Sequence, residues 1–303
     1  MIPAIATHGL CKTYPRTWRT PPFEAVRELS LTIGEGEVFG FIGPNGAGKS
    51  TVIKVLTGVL QPTTGRAELF GEDVSQTAAR RGLGYVPENP SLYDYLTPLE
   101  ILMMGLSIHA VRPANRRQHC LQWLERFDLA QVANKRVRSF SKGMTQRVAL
   151  AHAMAIQPRL LILDEPLSGL DPVGRKDVVD ILGEYRGAGG TIFLTSHVLH
   201  DVEQLADRFG LIHRGQLLTI RSPQELAADQ ADRYVLRYRG GAPIEGCSEV
   251  RPGLFTLDAG AAELPALIAR VNACGGVLQD VKPSVSLETV FFRTISSSDV
   301  ASR

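Results

Sequence analysis

Gly43-Pro44-Asn45-Gly46-Ala47-Gly48-Lys49-Ser50-Thr51 joins glycines, a cation and two hydroxyls in the order G-x-x-x-x-G-K-[ST]. That grouping suits a nucleoside triphosphate. Gly43, Gly46 and Gly48 let the backbone wrap inward, so that successive N–H groups point at phosphate oxygens. Lys49, placed at a helix start, reaches the β- and γ-phosphates, and the helix N-terminus adds its positive end. The Ser50 hydroxyl suits Mg²⁺. A second group with chemical use is Asp164-Glu165, which follows the apolar run Leu160 to Leu163. Two carboxylates at a strand end, opposite a phosphate loop, divide the work. Asp164 holds Mg²⁺ through water, and Glu165 polarises the water that attacks the γ-phosphate.

These groups need elements to position them. Val38 to Ile42 reads as a buried strand, and Val52, Ile53, Val55 and Leu56 form the apolar face of a helix ending near Gly58. Strands are expected at His8–Tyr14, Leu29–Ile33, Ala67–Phe70, Leu83–Val86, Leu160–Leu163 and Thr191–Thr195. The residues from 211 to 218 form a hairpin. Thr97-Pro98-Leu99-Glu100 is a capping box that starts a helical stretch reaching about Asn134, broken at Arg112-Pro113. Ser141 caps a helix to about Ile156, and Asp171-Pro172 opens another, closed by the glycines at 187, 189 and 190. Alternating strands and helices predict an α/β core with a mainly parallel sheet, interrupted by a helical insertion over about 90–156. A domain boundary is expected near 220, before the capping box Ser222-Pro223-Gln224-Glu225.

The remainder, 221–303, reads as a small α+β accessory domain. It has a strand at Arg233–Arg239 with Tyr234, Leu236 and Tyr238 on one face. A helix through Leu264, Leu267, Ile268 and Val271 follows, then a strand from Val277 to Val281 and a closing helix capped by Ser286. The arginines of the first strand are read as a solvated face.

Composition narrows the function classes. The chain has 303 residues, 44% hydrophobic and 21% charged, with a net charge of +2, which gives no electrostatic footprint for a nucleic-acid partner. Cys11, Cys120, Cys247 and Cys274 are scattered, which fits a reducing compartment and argues against structural zinc. No signal peptide is expected, and no apolar stretch approaches the roughly 18 residues of a spanning helix. The chain is expected to be soluble by itself, so that any membrane part comes from another chain.

Phe140-Ser141-Lys142-Gly143-Met144, followed by Gln146-Arg147, completes a set with the loop, the acidic pair, Ser168-Gly169-Leu170-Asp171 and His197. In this order the set resembles the ABC transporter ATPases over about residues 5 to 220. The resemblance implies a P-loop NTPase (RecA-like) core with an antiparallel β subdomain, and binding and hydrolysis of MgATP. It implies a dimer, of two copies or with a similar ATPase, in which Ser141 and Gly143 grip the ATP of the opposite subunit. Phe140, Lys142 and Met144 depart from the usual LSGGQ form. It further implies that Tyr14 stacks on adenine, that His197 contacts the γ-phosphate and orients water, and that Asp171 communicates between the two sites. Glu88 stands where the family usually carries a Gln that ligates Mg²⁺, and it is also a hard oxygen ligand.

Glu88 and the tail Ser286 to Phe291 look like the ATP-binding subunits of ABC-2 type exporters. That likeness implies a separate integral membrane permease, export, and a place on the cytoplasmic face of the cell membrane. A soluble ABC ATPase acting on ribosomes or nucleic acid is the alternative. Such proteins commonly carry two cassettes, long coiled coils or zinc modules, and this sequence has one cassette.

Overall fold

The computed structural model describes residues 2–15, 21–225 and 233–283. Trp18 and the expected helix at 286–291 lie outside the described residues. Contacts divide the chain into two units, Met1–Ile220 and Arg221–Arg303.

The first unit holds two sheets. Strands β1 (Ile5–Tyr14), β2 (Phe23–Ile33), β4 (Thr64–Leu69) and β5 (Glu72–Asp73) form an antiparallel sheet in the order β2-β1-β4-β5. Strands β3 (Val38–Ile42), β6 (Leu83–Val86), β7 (Leu160–Asp164), β8 (Thr191–Ser196), β9 (Arg208–His213) and β10 (Gln216–Arg221) form the other, in the order β10-β9-β3-β8-β7-β6. Five of these, β9 through β6, run parallel, and β10 folds back on β9 through Arg214-Gly215. Strands β3 and β7 are buried at every position, which is what parallel strands covered on both faces require. Phe39, Phe41 and Phe193 pack ring to ring at the sheet centre.

Helix α1 (Lys49–Leu56) leaves the loop after β3. Three helices form the insertion: α2 (Pro98–Ile108), α3 (Arg116–Arg126) and α4 (Lys142–Ala155). Thr97 and Glu100 close the expected capping box, and Ser141 caps α4. The helical reading from 97 to 134 was too long. The chain leaves α3 at Phe127, Asp128 takes a left-handed φ of 57°, and short 3-10 turns follow at Ala130–Val132 and Val137–Ser139. Apolar spacing continues there, but the backbone turns to seat Leu129 and Val132 in the core. Helix α5 (Pro172–Gly187) starts on the N-cap Asp171, and α6 (Leu199–Leu205) follows β8.

The second unit is a sheet of β12 (Ser248–Arg251), β13 (Leu254–Gly260), β11 (Arg233–Arg239) and β14 (Val277–Pro283), in that order, with α7 (Leu264–Ala273). Leu236 and Tyr238 are buried beside Phe255, Leu257 and Val271, while Arg237 and Arg239 face solvent. The expected solvated face is therefore present. The β12–β13 hairpin escaped the sequence reading. Every residue of β12 is exposed, so it carries no apolar alternation. In β13, Phe255, Leu257 and Ala259 do alternate inward.

Candidate functional site

The carboxyl ends of β3, β8, β7 and β6 lie side by side, and the phosphate loop, His197, the acidic pair and Glu88 sit at or just beyond them. This is where ligands bind in open parallel sheets. A cavity of about 250 Å³ is lined by Pro44 to Thr51, Glu88, Asp164, Glu165 and His197. Phe23 and Ala25 complete its rim.

The phosphate loop is held by its glycines for different reasons. Gly48 has φ 112°, and a Cβ there would lie 2.4 Å from the Ala25 carbonyl oxygen. Gly43 has no such φ, but its Cβ would meet the Ile212 carbonyl at 2.4 Å. Gly43 is thus required by packing against β9, and Gly48 by backbone curvature as well. No side chain caps α1, so its first N–H groups are left for another acceptor.

Lys49 is nearly buried. Its Nζ donates to the Gly43 carbonyl at 2.6 Å and lies 3.7 Å from Glu165 Oε1. A buried ammonium needs such partners, because desolvation disfavours it otherwise. Glu165 is equally buried. Its Oε2 accepts from the His197 backbone N–H at 3.2 Å and lies 2.7 Å from His197 Nδ1. Glu165 also has a left-handed φ of 50°, a strained conformation of the kind that clusters at functional sites. Lys49, Glu165 and His197 are therefore one connected set.

Thr195 was missed in the sequence. It pairs with Asp164 across β7 and β8. Its hydroxyl donates to Asp164 Oδ1 at 2.6 Å and accepts from the Glu165 N–H at 3.1 Å. One buried threonine thus orients both acidic residues. A hydroxyl closing the apolar strand Thr191–Ser196 was the available signal, but its partner depended on sheet order. Tyr85 on β6 has its phenol raised by burial first and by the Asp164 charge second.

Tyr14 does not line this cavity. Its cross-strand partner Phe23 does, with 56% of its surface exposed. Ser141, Gly143 and Asp171 are also elsewhere. They line a second cavity of about 590 Å³ with Lys142, Met144 and Arg147, and none of these borders the first. Ser141 accepts from the Met144 N–H at 3.2 Å, and Asp171 accepts from the Gly174 N–H at 3.0 Å. Among the described residues no cluster of three or more His, Cys, Asp or Glu forms a metal site. The donors near the loop are Ser50, Glu88 and Asp164, hard oxygens that suit a cation completed by phosphate and water.

A family model described as ABC transporter matches residues 26–168. An uncharacterized ABC transporter ATP-binding protein of Nostoc is 38% identical over 240 residues, covering 78% of this chain and 71% of that one. The chain belongs to the ABC transporter ATP-binding proteins. A fluoroquinolones export ATP-binding protein of Mycobacterium tuberculosis is 36% identical, covering 78% of this chain and 77% of its own length. The solved ATP-binding subunit of an ABC transporter superposes with a TM-score of 0.68 at 28% identity, covering 75% of this chain and 92% of that one. This ABC ATPase binds ATP and hydrolyses it to drive transport. Among the described residues no helix is long and apolar enough to cross a membrane. In this family the membrane passage belongs to a transmembrane subunit.

Proposed function

We propose that this ABC ATPase is the energising subunit of an ABC-2 type exporter, and that the cavity around Lys49 binds the phosphates of MgATP. The convergence of Lys49, Glu165, His197 and the Thr195-oriented Asp164 around one small cavity carries this reading. Main-chain N–H groups of Gly46 to Thr51 cradle the phosphates. Lys49 exchanges the Gly43 carbonyl and Glu165 for the β- and γ-phosphates. Ser50, Asp164 through water, and Glu88 hold Mg²⁺, which neutralises charge on the phosphates. Glu165 accepts a proton from the attacking water as that oxygen bonds the γ-phosphorus. The bond to the bridging oxygen breaks, giving ADP and inorganic phosphate. His197 keeps the Glu165 carboxylate in place and meets the γ-phosphate. Adenine lies on the aromatic edge formed by Tyr14 and Phe23.

Ser141, Gly143 and Asp171 serve a different ATP, the one held by a second protomer. Their separation from the Lys49 cavity within one chain supports this assignment. Two ATP molecules then join two protomers, and hydrolysis lets them part. The likeness to a fluoroquinolones export protein supports export as the direction. A permease on a separate chain supplies the passage, which places this subunit at the cytoplasmic face of the membrane.

The test is purification of tagged Glu165→Gln protein with MgATP from detergent-solubilised native membranes. A polytopic membrane protein in near-equal amount is expected. A dimer that brings down ribosomes instead would move the function to a soluble ABC ATPase.

A further inference from the structure

Helix α4 carries Ser141 at its N-cap and Gly143 in its first turn, and its next residues reach elsewhere. Gln146 is fully buried, and its Nε2 donates to the Pro166 carbonyl at 3.1 Å. Arg147 Nη2 donates to Asp171 Oδ1 at 3.2 Å, and its Nη1 lies 3.5 Å from Asp128 Oδ2. Between these two contacts the backbones nearly touch. A Cβ on Gly143 would stand 3.0 Å from the Gly169 carbonyl, and one on Gly169 would stand 3.1 Å from the Lys142 stem. The first half of α4 therefore lies along the whole segment 166–171, which begins directly after Glu165.

Stability does not account for these residues. Gln146 Oε1 is buried without a partner among the described residues, which offsets what its Nε2 bond contributes to folding. The carboxylates that meet Arg147 are 76% and 65% exposed, so solvent screens both pairs. What the two side chains do supply is direction. They pin both ends of segment 166–171 to a rigid helix.

We propose that Gln146 and Arg147 are positioning residues that tie the signature segment to Glu165 of the same chain. A triphosphate gripped at Ser141 and Gly143 thereby sets the chain's own general base. This rests on the dimer reading above. Its physical basis is short: Ser141 is continuous with α4, α4 holds Pro166 through Gln146, and Pro166 follows Glu165 with its constrained φ. Small displacements of a general base have large effects on turnover.

The test uses full-length chains with two different tags, purified as mixed dimers in MgATP. One chain carries Glu165→Gln, so a single composite site turns over. With Gln146→Leu on the chain that keeps Glu165, turnover at saturating MgATP is expected to fall about tenfold, with KM changed by less than about twofold. Leucine keeps the buried volume and exchanges one unpartnered oxygen, Gln146 Oε1, for another, the Pro166 carbonyl, so the fold is expected to persist. With Gln146→Leu on the Glu165→Gln chain, the substitution borders the signature segment that faces the working site. Turnover there is expected to stay within about twofold of the mixed dimer without it. Arg147→Lys, a point charge in place of a fork, gives an intermediate loss in the first arrangement. Equal losses in both arrangements overturn the proposal, because Gln146 then serves the fold, and a loss confined to the second overturns it too, because Gln146 then serves the signature clamp. No loss in either overturns it too. If the native and Glu165→Gln chains form no mixed dimer at all, the dimer reading fails first, before any Gln146 variant is made, and the proposal falls with it.

Discussion

Helices α1 and α4 both start at a place chemically fit for phosphate, and they are finished differently. At α1 the residue before the helix is Gly48, with φ 112° and no side-chain cap. At α4 it is Ser141, whose hydroxyl already accepts from the Met144 N–H. Behind α1 stand a buried cation, a buried carboxylate and a histidine in contact with one another. Beside α4 the carboxylates are exposed, and Arg147 is occupied by them. One helix start is left open and backed by machinery for chemistry. The other satisfies itself and offers a surface. The difference teaches that a shared motif physics, a helix N-terminus with small residues, yields a primary site only where the protein withholds its own cap and buries the charges.

The largest expected effect tests the machinery behind α1. Glu165→Gln should lower phosphate release by about a thousandfold while MgATP binding remains, since it removes the proton acceptor and keeps the shape. An unchanged turnover rate would remove Glu165 from that role. Next, Lys49→Ala should weaken MgATP binding by about a hundredfold in nucleotide titrations, through loss of charge-assisted contacts. If Ser141→Ala weakened binding to the isolated protomer as much, the contrast between the helices would collapse.

Smaller again, Phe23→Ala should raise the Kd for MgATP by about tenfold, the scale of one lost stacking face. Phe23→Tyr should restore it, and no change would leave the base to Tyr14 alone. At the other helix, Ser141→Ala should cost about 1 kcal/mol in denaturant unfolding, the ordinary value of an N-cap, with protomer affinity unaltered.

The last expectation concerns the body of α4. His152 packs against Gly105 of α2, and its pKa is lowered from 6.5, by burial first and by His109 second. A histidine lowered in the fold is protonated more readily when unfolded, so stability holds above pH 6.5 and declines as pH falls below it. His152→Gln should flatten that acid slope in thermal melts and leave the melts above neutrality nearly parallel.

How far the sequence could be read depends on the kind of interaction. Local codes were legible. The capping boxes at Thr97 and Ser222 form as written, with Glu100 and Glu225 each returning the bond. So do the caps at Ser141 and Asp171, because each involves atoms within four residues. The alternation of strands and helices announced a parallel sheet. The end of α3 was not legible, since the same apolar spacing serves a helix and a turn that seats Leu129. The family resemblance points to Tyr14 as the aromatic of the site, while the cavity rim goes to Phe23, which the strand pairing sets opposite.

By itself the sequence determined the phosphate loop, the acidic pair, the helix caps and the order of elements. Each of these is set by residue type and by spacing along the chain. Tertiary structure alone decided the company those residues keep. It placed Thr195 beside Asp164 through the pairing of β7 with β8, joined Lys49 to His197 through Glu165, and laid Gln146 against Pro166. Those contacts join residues 20 to 116 positions apart in the numbering. Such contacts follow from sheet order and helix packing, which bring chain-distant groups within hydrogen-bond reach and leave no local pattern in the chain.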